Sequence, residues 1–343
     1  ASSKSCVRMA DINGDGFPDL FIGGRVIPGR YPEPPASYLL INDGKGRFTD
    51  QTASLGPGLQ KIGMVTDAAW IDLNKDGVKD LVVVGEWMPV SVFINQRGKL
   101  ENRTRDYFDR EYSGWWNTIK VGDLDGDGRP ELLIGNLGLN SQCQADQRHP
   151  AELYYKDFDN NGAIDPVLCL YTGDTAYPFM SRDELIQQVA GMSQRFPDYK
   201  SYANAKLTDI FSPASLKDAG RLRADCLRTM YFSAGADGRF HERSLPPQAQ
   251  YSPVYTINTL DFDKDGKPDL LLCGNMNHAR LRFGKQDANY GVLLKGDGKG
   301  NFTYVDQLRS GLHVTGDVRS VIAVDGLMLF GVDGVGVKAY KSR

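Results

Sequence analysis

An acidic nonapeptide recurs five times along the chain, each time with its acids at the same positions. Counted from its first aspartate, each copy has Asp, Asn or Glu at positions 1, 3, 5 and 9, glycine at position 6 and an apolar residue at position 2. Alternate side chains on a curled loop can point to one centre, and Ca²⁺ takes about six to eight oxygen ligands. Glycine at position 6 permits a turn that a Cβ atom would obstruct. The five copies are Asp11–Asp19, Asp72–Asp80, Asp123–Glu131, Asp157–Asp165 and Asp261–Asp269.

These acidic loops predict about five Ca²⁺ sites, in which position 7 adds its backbone carbonyl to the four side chains. Asp-Gly hairpin turns without metal are the alternative, and five copies with the same acids argue against it. Without cations, each loop would hold like charges a few ångströms apart, which is costly. The predicted ligands are Asp11, Asn13, Asp15, Phe17, Asp19, Asp72, Asn74, Asp76, Val78, Asp80, Asp123, Asp125, Asp127, Arg129, Glu131, Asp157, Asp159, Asn161, Ala163, Asp165, Asp261, Asp263, Asp265, Lys267 and Asp269.

The elements around these loops exclude an EF-hand. An EF-hand loop has a bidentate glutamate at position 12 and a helix on each side. Position 12 is apolar in every copy, and in four copies position 9 is followed by an apolar run of strand length, such as residues 81–84. Each loop is therefore predicted to join two β-strands.

A second, glycine-rich element recurs between the loops and predicts tight hairpin turns. The repeating unit is a strand, an acidic loop, two strands, a tight turn and a fourth strand. Four antiparallel strands in this order form one propeller blade. The chain is therefore predicted to be an all-β protein, a β-propeller of six four-stranded blades, with seven as the alternative, in a single domain over residues 1–343. The glycine-rich turns lie in Asn42–Phe48, Asn95–Leu100, Ala236–Phe240 and Gly296–Phe302.

The predicted blades cover residues 5–53, 64–107, 116–152, 153–245, 254–306 and 316–341. The last one has only Asp325-Gly326 in place of the loop, so we expect no calcium there, and it lacks an outer strand. In a closed ring the N-terminal residues could supply that strand and remove an exposed edge. The third and fourth loops are too close for a full blade between them. Either the third blade has lost strands or the fourth loop lies elsewhere in its blade.

A helical insertion is predicted within this domain at residues 178–226. A capping box over residues 181–184 begins the first helix, and apolar residues at helical spacing follow it. A second helix is predicted from about Asp198 to Phe211, and Ser212-Pro213 begins a third. The insertion is either a cap over one propeller face or a surface that binds a partner or ligand.

The acidic loops and strands resemble the FG-GAP/VCBS repeat, the calcium-loop blade also found in integrin α-subunit propellers. Four further segments are similar to large repeat proteins of Bacteroidetes-type bacteria, which are grouped with cartilage acidic protein and the ASPIC/UnbV family. The resemblance implies a propeller, calcium binding and a cell-surface or exported location, here the bacterial envelope. It implies no established reaction. These segments are Gly135–Asn140, Tyr155–Pro166, Tyr177–Leu185 and Ala288–Gly291.

Catalytic motifs are missing from the sequence, so we predict that the protein is not an enzyme. The four histidines form no HExxH motif, and no GxSxG motif or P-loop occurs.

Other classes of partner and fold are also disfavoured. The basic residues are scattered, which argues against binding of nucleic acid, and no apolar run approaches the roughly 18 residues of a membrane helix. Five cysteines without a CxxC pair exclude a dense disulfide framework and a zinc cluster, and we expect Cys169 and Cys273 to be buried thiols. Because the chain starts at Ala1 without Met, we expect a processed chain or a fragment of a longer one.

Two groups outside the loops are candidates for a ligand site. His278 and the arginines that follow it could line a pocket at the top face, with an ordinary surface loop as the alternative. Tyr112, Trp115 and Trp116 form an aromatic cluster. Blade packing is the expected role of the cluster, and a platform for stacking sugars is the alternative.

The function that these patterns favour is a non-catalytic, calcium-binding extracellular module for binding or adhesion. Its expected partner is a protein or glycan at the cell surface. A carbohydrate-binding or polysaccharide-processing propeller of a bacterial envelope protein is the first alternative. A purely structural segment of a larger envelope protein is the second.

Overall fold

Most of the regular secondary structure is antiparallel β-sheet, in a computed structural model that describes residues 2–341. The strands are β1 (Ser3–Ala10), β2 (Asp19–Val26), β3 (Tyr38–Asn42), β4 (Phe48–Asp50), β5 (Met64–Ile71), β6 (Asp80–Pro89), β7 (Ser91–Gln96), β8 (Lys99–Asn102), β9 (Ser113–Trp115), β10 (Thr118–Gly122), β11 (Glu131–Gly135), β12 (Ala151–Lys156), β13 (Asp165–Thr172), β14 (Thr175–Pro178), β15 (Gly220–Ala224), β16 (Met230–Ala234), β17 (Phe240–Arg243), β18 (Val254–Leu260), β19 (Asp269–Gly274), β20 (Val292–Gly296), β21 (Phe302–Val305), β22 (Val318–Val324), β23 (Leu327–Val332) and β24 (Gly336–Lys341).

The helices are short and lie between the strands or in one excursion from them. They are α1 (Thr52–Leu55), α2 (Thr104–Tyr107), α3 (Arg182–Gln188), α4 (Met192–Arg195), α5 (Tyr199–Tyr202), α6 (Leu207–Ile210), α7 (Pro213–Lys217) and α8 (Gln307–Ser310), with 3₁₀ turns at Pro57–Leu59, Pro247–Gln250 and Leu281–Phe283. None of the helices in the described part of the chain has the length and apolarity that a membrane crossing requires.

Six sheets are present within residues 2–341. Their strand orders are β1-β2-β3-β4, β5-β6-β7-β8 with β9 against β6, β10-β11-β16-β17, β14-β13-β12-β15, β18-β19-β20-β21 and β22-β23-β24. The first strands of five sheets, β1, β5, β10, β18 and β22, lie side by side in that order. The prediction of an all-β fold is confirmed. The number of blades is not, because the fourth sheet lies outside this row and contacts the second sheet through β15.

The sheets pack through alternate residues of their strands, as shown by β6. Leu81 and Val83 pack towards the first sheet, whereas Val82 and Val84 pack towards the third. Successive side chains of a strand point to opposite faces, so a strand between two sheets is buried on both sides. This explains why residues 81–84 form a continuous apolar run.

The predicted blades 116–152 and 153–245 are wrong. Strand β11 pairs with β16, with Leu133 opposite Tyr231, so the chain leaves the third sheet after β11 and returns to it only at Met230. Between these points it builds the whole fourth sheet, whose central strands β12 and β13 flank the fourth acidic loop. The short spacing between the third and fourth loops therefore arises from a sheet nested between two strands of another.

Within residues 2–341 the last sheet lacks an outer strand, as expected, but the N-terminal residues do not supply one. It has three strands, and the N-terminal residues from Ser3 form β1, which pairs with β2. Within residues 2–341 they therefore do not complete the last sheet. Strand β24 pairs only with β23 in this part of the chain.

The helices of the excursion pack on the fourth sheet. Buried residues of β13, such as Val167 and Cys169, contact Leu185, Ile210 and Phe211. The predicted capping box forms, because the Ser181 hydroxyl accepts the backbone N–H of Glu184 and the carboxylate of Glu184 accepts that of Ser181.

Two details of the excursion depart from the sequence patterns. The predicted helix over residues 198–211 is broken into α5 and α6, and residues 220–224 form strand β15 of the fourth sheet.

The five cysteines are buried free thiols, as expected for Cys169 and Cys273. A single domain with an insertion at 178–226 stays a prediction.

Candidate metal centres

Each acidic loop connects two neighbouring antiparallel strands of one sheet. The loops follow β1, β5, β10, β12 and β18, and each ends at the first residue of the next strand. The prediction that the loops join strands is confirmed. An EF-hand is excluded because strands, and not helices, flank all five loops.

Two backbone positions in every loop are left-handed, which explains their sharp curl. Position 6, always glycine, has φ between 75° and 91°, as predicted. Position 4 has φ between 59° and 79°, which the sequence analysis missed. Glycine or asparagine at position 4 of three copies was the available signal, because both residues tolerate this region. The position 4 residues are Gly14, Lys75, Gly126, Asn160 and Lys264.

The aspartate at position 1 closes the loop by accepting backbone N–H groups further along it. In the fifth loop, Asp261 Oδ1 accepts from Asp265 at 3.0 Å and Oδ2 accepts from Gly266 at 2.9 Å. The other four loops use Asp11, Asp72, Asp123 and Asp157 in the same way. These bonds hold the loop backbone curled around its acidic side chains.

The side chains at positions 3 and 5 remain at the loop surface and accept hydrogen bonds from the backbone two residues later. Asp127 Oδ1, at position 5 of the third loop, accepts from the N–H of Arg129 at 2.7 Å. Asp125 at position 3 accepts from the N–H of Asp127 at 3.2 Å. Each carboxylate keeps oxygen lone pairs that a cation could use.

The acid at position 9 is buried in all five loops, with at most 1% of its surface exposed. One of its oxygens accepts the backbone N–H of position 2, as in the 2.9 Å bond from Ile12 to Asp19. In three loops the other oxygen accepts an N–H from a further strand, such as Asn42 for Asp19 at 2.8 Å. Position 9 therefore ties the loop to the sheet, a role that the sequence analysis missed. The three acids are Asp19, Asp80 and Asp269.

Glu131 differs from these three acids at position 9. Its Oε2 accepts the N–H of Leu124 at 2.6 Å, but its Oε1 is buried without a hydrogen-bond partner in the described chain. Burial, together with the nearby carboxylates of Asp125 and Asp127, raises the pKa of Glu131 to about 7. A cation in the loop would give this oxygen a partner and offset the repulsion.

Carboxylates converge in three of the loops. In each of these, three acidic residues have oxygens within 4.8 Å of one another. Only oxygen donors meet there, which suits a hard cation of the calcium type better than a transition metal. The residues therefore fit a bound cation. The groups are Asp123, Asp125 and Asp127; Asp157, Asp159 and Asp165; and Asp261, Asp263 and Asp265.

The remaining predicted ligands have a weaker structural basis. The first two loops carry Asn13 and Asn74 at position 3, so each has three carboxylates, as does the fourth loop, against four in the third and fifth. The backbone carbonyls at position 7 stay predictions as ligands. They belong to Phe17, Val78, Arg129, Ala163 and Lys267.

Basic side chains reach two of the loops. Arg129 contacts Asp127 in the third loop. In the fifth, Lys295 of β20 contacts Asp263 and lies 3.1 Å from Asp265. Hydrogen bonding to Lys295 lowers the pKa of Asp265. These side chains supply positive charge within the chain and would compete with a cation for the same carboxylates.

The aromatic cluster predicted at residues 112–116 divides in the structure. Trp116 is fully buried and donates Nε1–H to the carbonyl of Met88 at 3.0 Å, and Tyr112 is buried against Phe232. Blade packing is therefore correct for these two residues. Trp115 is half-buried and lies beside Trp87. It packs apart from Trp116 because neighbouring residues of an extended chain point to opposite faces. His278 is exposed on a surface loop.

Comparison with known proteins places the first three loops in a family. Residues 11–83 and 72–134 match the FG-GAP-like repeat. Mouse integrin alpha-3 is 28% identical over 146 residues, which are 39% of this chain and 14% of the integrin. Integrin alpha-5 of Xenopus laevis is 27% identical over 156 residues, 39% of this chain and 15% of that protein. The chain thus spans only a small part of the length of these relatives.

Among solved structures, the chain is similar to the V. cholerae biofilm matrix protein Bap1. The sequence identity is 11% and the TM-score 0.34, with 99% of this chain and 69% of that chain covered. The predicted resemblance to FG-GAP repeats is confirmed, and the closer similarity to the cartilage acidic protein group stays a prediction. The chain carries FG-GAP-like repeats, the units that form integrin-type β-propellers.

Proposed function

We propose that the chain is a calcium-binding, extracellular β-propeller that serves as a non-catalytic module for binding or adhesion. The observation that carries this proposal is the convergence of carboxylate oxygens in loops that are each braced between two strands. Integrin alpha chains share the repeat, which supports a role in binding. The proposal assigns the chain no catalytic step.

Bound Ca²⁺ would neutralise the repulsion among the carboxylates of a loop and cross-link its backbone. Positions 1, 3, 5 and 9 would hold the ion. Position 9 also bonds to backbone N–H groups, so the same residue would join the ion to the sheet. The third loop would gain most, because it contains the unpartnered Oε1 of Glu131.

An extracellular location, at the surface of a bacterial envelope, is part of the proposal. Sites with several carboxylates on exposed loops suit the millimolar calcium found outside cells, where extracellular modules have Kd values of about 10⁻⁴–10⁻³ M. The partner would be a protein or glycan at the cell surface. A carbohydrate-binding or polysaccharide-processing propeller is the second candidate, and the exposure of Trp115 beside Trp87 favours its binding form.

Titration calorimetry of the metal-free protein with CaCl₂ tests the proposal. We expect saturable uptake of about five ions per chain, and the variant Asp123→Ala should take up one ion fewer. The variant Asp297→Ala, which alters a glycine-rich turn outside the loops, should bind as many ions as the wild type. No uptake at millimolar calcium, or an unchanged stoichiometry in Asp123→Ala, would contradict the proposal.

A further inference from the structure

A cavity of about 750 Å³ lies among five of the sheets, and in the first, second, third and fifth of them it is at the end opposite to the acidic loop. Its walls come from the beginning of β1 and β18, from the residues just before β10 and from the ends of β2 and β6, whereas the loops lie at the other ends of these strands. The fourth sheet and the segment 276–283 complete the walls. None of the residues that line the cavity belongs to an acidic loop.

One wall of the cavity is an ordered aromatic group. The rings of Trp87 and Trp115 meet edge to face, with centroids 4.9 Å apart. Trp87 donates Nε1–H to the hydroxyl of Tyr31 at 2.9 Å, and Tyr31 donates to Glu86 Oε1 at 2.7 Å. Arg25 forms an ion pair with the same Glu86. This chain of hydrogen bonds fixes the rings of Trp87 and Tyr31 and the carboxylate of Glu86 before any ligand arrives, which reduces the entropic cost of binding.

Free polar groups lie next to this wall. The side-chain amide of Asn117 and the guanidinium group of Arg280 line the cavity, and neither is paired with another side chain or a backbone group within residues 2–341. Arg280 is exposed at the rim. The cavity therefore combines aromatic surface with unused donors and acceptors, and its volume lies in the range of about 300–1,000 Å³ typical of small-molecule sites.

We propose that this cavity binds a saccharide. A pyranose ring has an apolar C–H face that can stack on an aromatic ring and hydroxyl groups at its edges that donate and accept hydrogen bonds. The cavity offers both kinds of partner. The inference deepens the proposed function and rests on it, since it gives the binding module its ligand class.

Two other ligand classes fit the cavity less well. A quaternary ammonium ion would bind the aromatic wall by cation–π contacts. It would, however, meet Arg25 and Arg280, and the single carboxylate of Glu86 is already paired. A purely apolar ligand would bury Glu86, Arg25 and Asn117 away from water without new partners, which is costly.

Intrinsic tryptophan fluorescence and calorimetry with calcium-loaded protein test the inference. The probes are cellobiose, maltose, lactose and digalacturonic acid. At least one of them should bind saturably, and Trp115→Ala should weaken its binding at least ~tenfold, as is usual when an anchoring aromatic residue is removed. Asn117→Ala, a smaller change at the same wall, should also weaken it. Tyr199→Ala, which removes an exposed aromatic ring that is not part of the cavity lining, should leave the affinity unchanged.

Two results would overturn the inference. One is that no probe binds to protein that still takes up calcium. The other is that Trp115→Ala and Asn117→Ala both bind the probe as the wild type does. Calcium uptake is measured on the same samples. Normal calcium uptake without sugar binding refutes only the saccharide site, whereas sugar binding without calcium uptake refutes only the calcium-binding part of the proposed function.

Discussion

Removing calcium with a chelator is expected to lower the free energy of unfolding by several kcal/mol. An ion that binds only the folded loops stabilises by RT ln(1 + [L]/Kd), which is about 2.7 kcal/mol per site at a hundredfold excess over Kd. The loops lie in five of the six sheets, so their contributions should add. Thermal or denaturant unfolding, followed by circular dichroism in calcium and in chelator, measures the difference.

The variant Asp261→Ala isolates one site. In chelator it should lose about 1–2 kcal/mol, because Asp261 accepts two backbone hydrogen bonds within the loop. In calcium it should lose that amount and the contribution of the bound ion as well. The effect of calcium on stability should therefore be smaller in Asp261→Ala than in the wild type.

Asp297→Ala is the matched control for this variant. Asp297 lies in the glycine-rich turn of the same sheet, and its Oδ1 accepts the N–H groups of Lys299 and Asn301. Its removal costs hydrogen bonds but no ion, so the loss should be equal in both buffers. Equal losses for Asp261→Ala in calcium and in chelator would refute the assignment of the fifth loop.

A pH-dependent loss of stability is expected in the metal-free protein, with Glu131 as its main source. Burial raises the pKa of Glu131 from 4.5 to about 7 in the folded state. The stability that this group contributes is therefore fully present below pH 4.5 and is lost as the pH rises through about 7. The free energy of unfolding should fall by about 3 kcal/mol over this interval in chelator. Burial also raises the pKa of Asp80 and Asp165, which adds to the slope in the same direction.

Calcium should reverse this trend, because a cation favours the charged form of Glu131 and binds only the deprotonated acids. The stabilisation by calcium should thus increase from pH 5 to pH 7. Glu131→Gln should flatten the profile in chelator, whereas Glu242→Gln, an exposed residue on the same sheet, should leave it unchanged. A wild-type profile without a fall between pH 4.5 and 7 in chelator would contradict this account of Glu131.

Local patterns in the sequence were sufficient to predict the loops and the strands that flank them. The acids at fixed spacing, Gly77 at position 6 and the apolar run after Asp80 are all determined by neighbouring residues. The capping box at Ser181 was predictable for the same reason. Such features depend on backbone geometry within a few residues, which a sequence pattern records directly.

Features that join distant segments were not predictable. The pairing of β11 with β16 places Glu131 opposite Ser233, and nothing near either residue indicates this partner. The second hydrogen bond of a position 9 acid, as from Asn42 to Asp19, joins different strands in the same way. The cavity beside Trp115 is formed by strands of four sheets and by the segments between them, so only the assembled fold shows it.

The most direct test of the central claim is a crystal structure of the protein grown in millimolar calcium, with anomalous diffraction measured at a long wavelength. The account predicts an anomalous peak among the carboxylates of each loop, strongest at Asp123, Asp125 and Asp127. Loops without such peaks in crystals that contain ample calcium would contradict it.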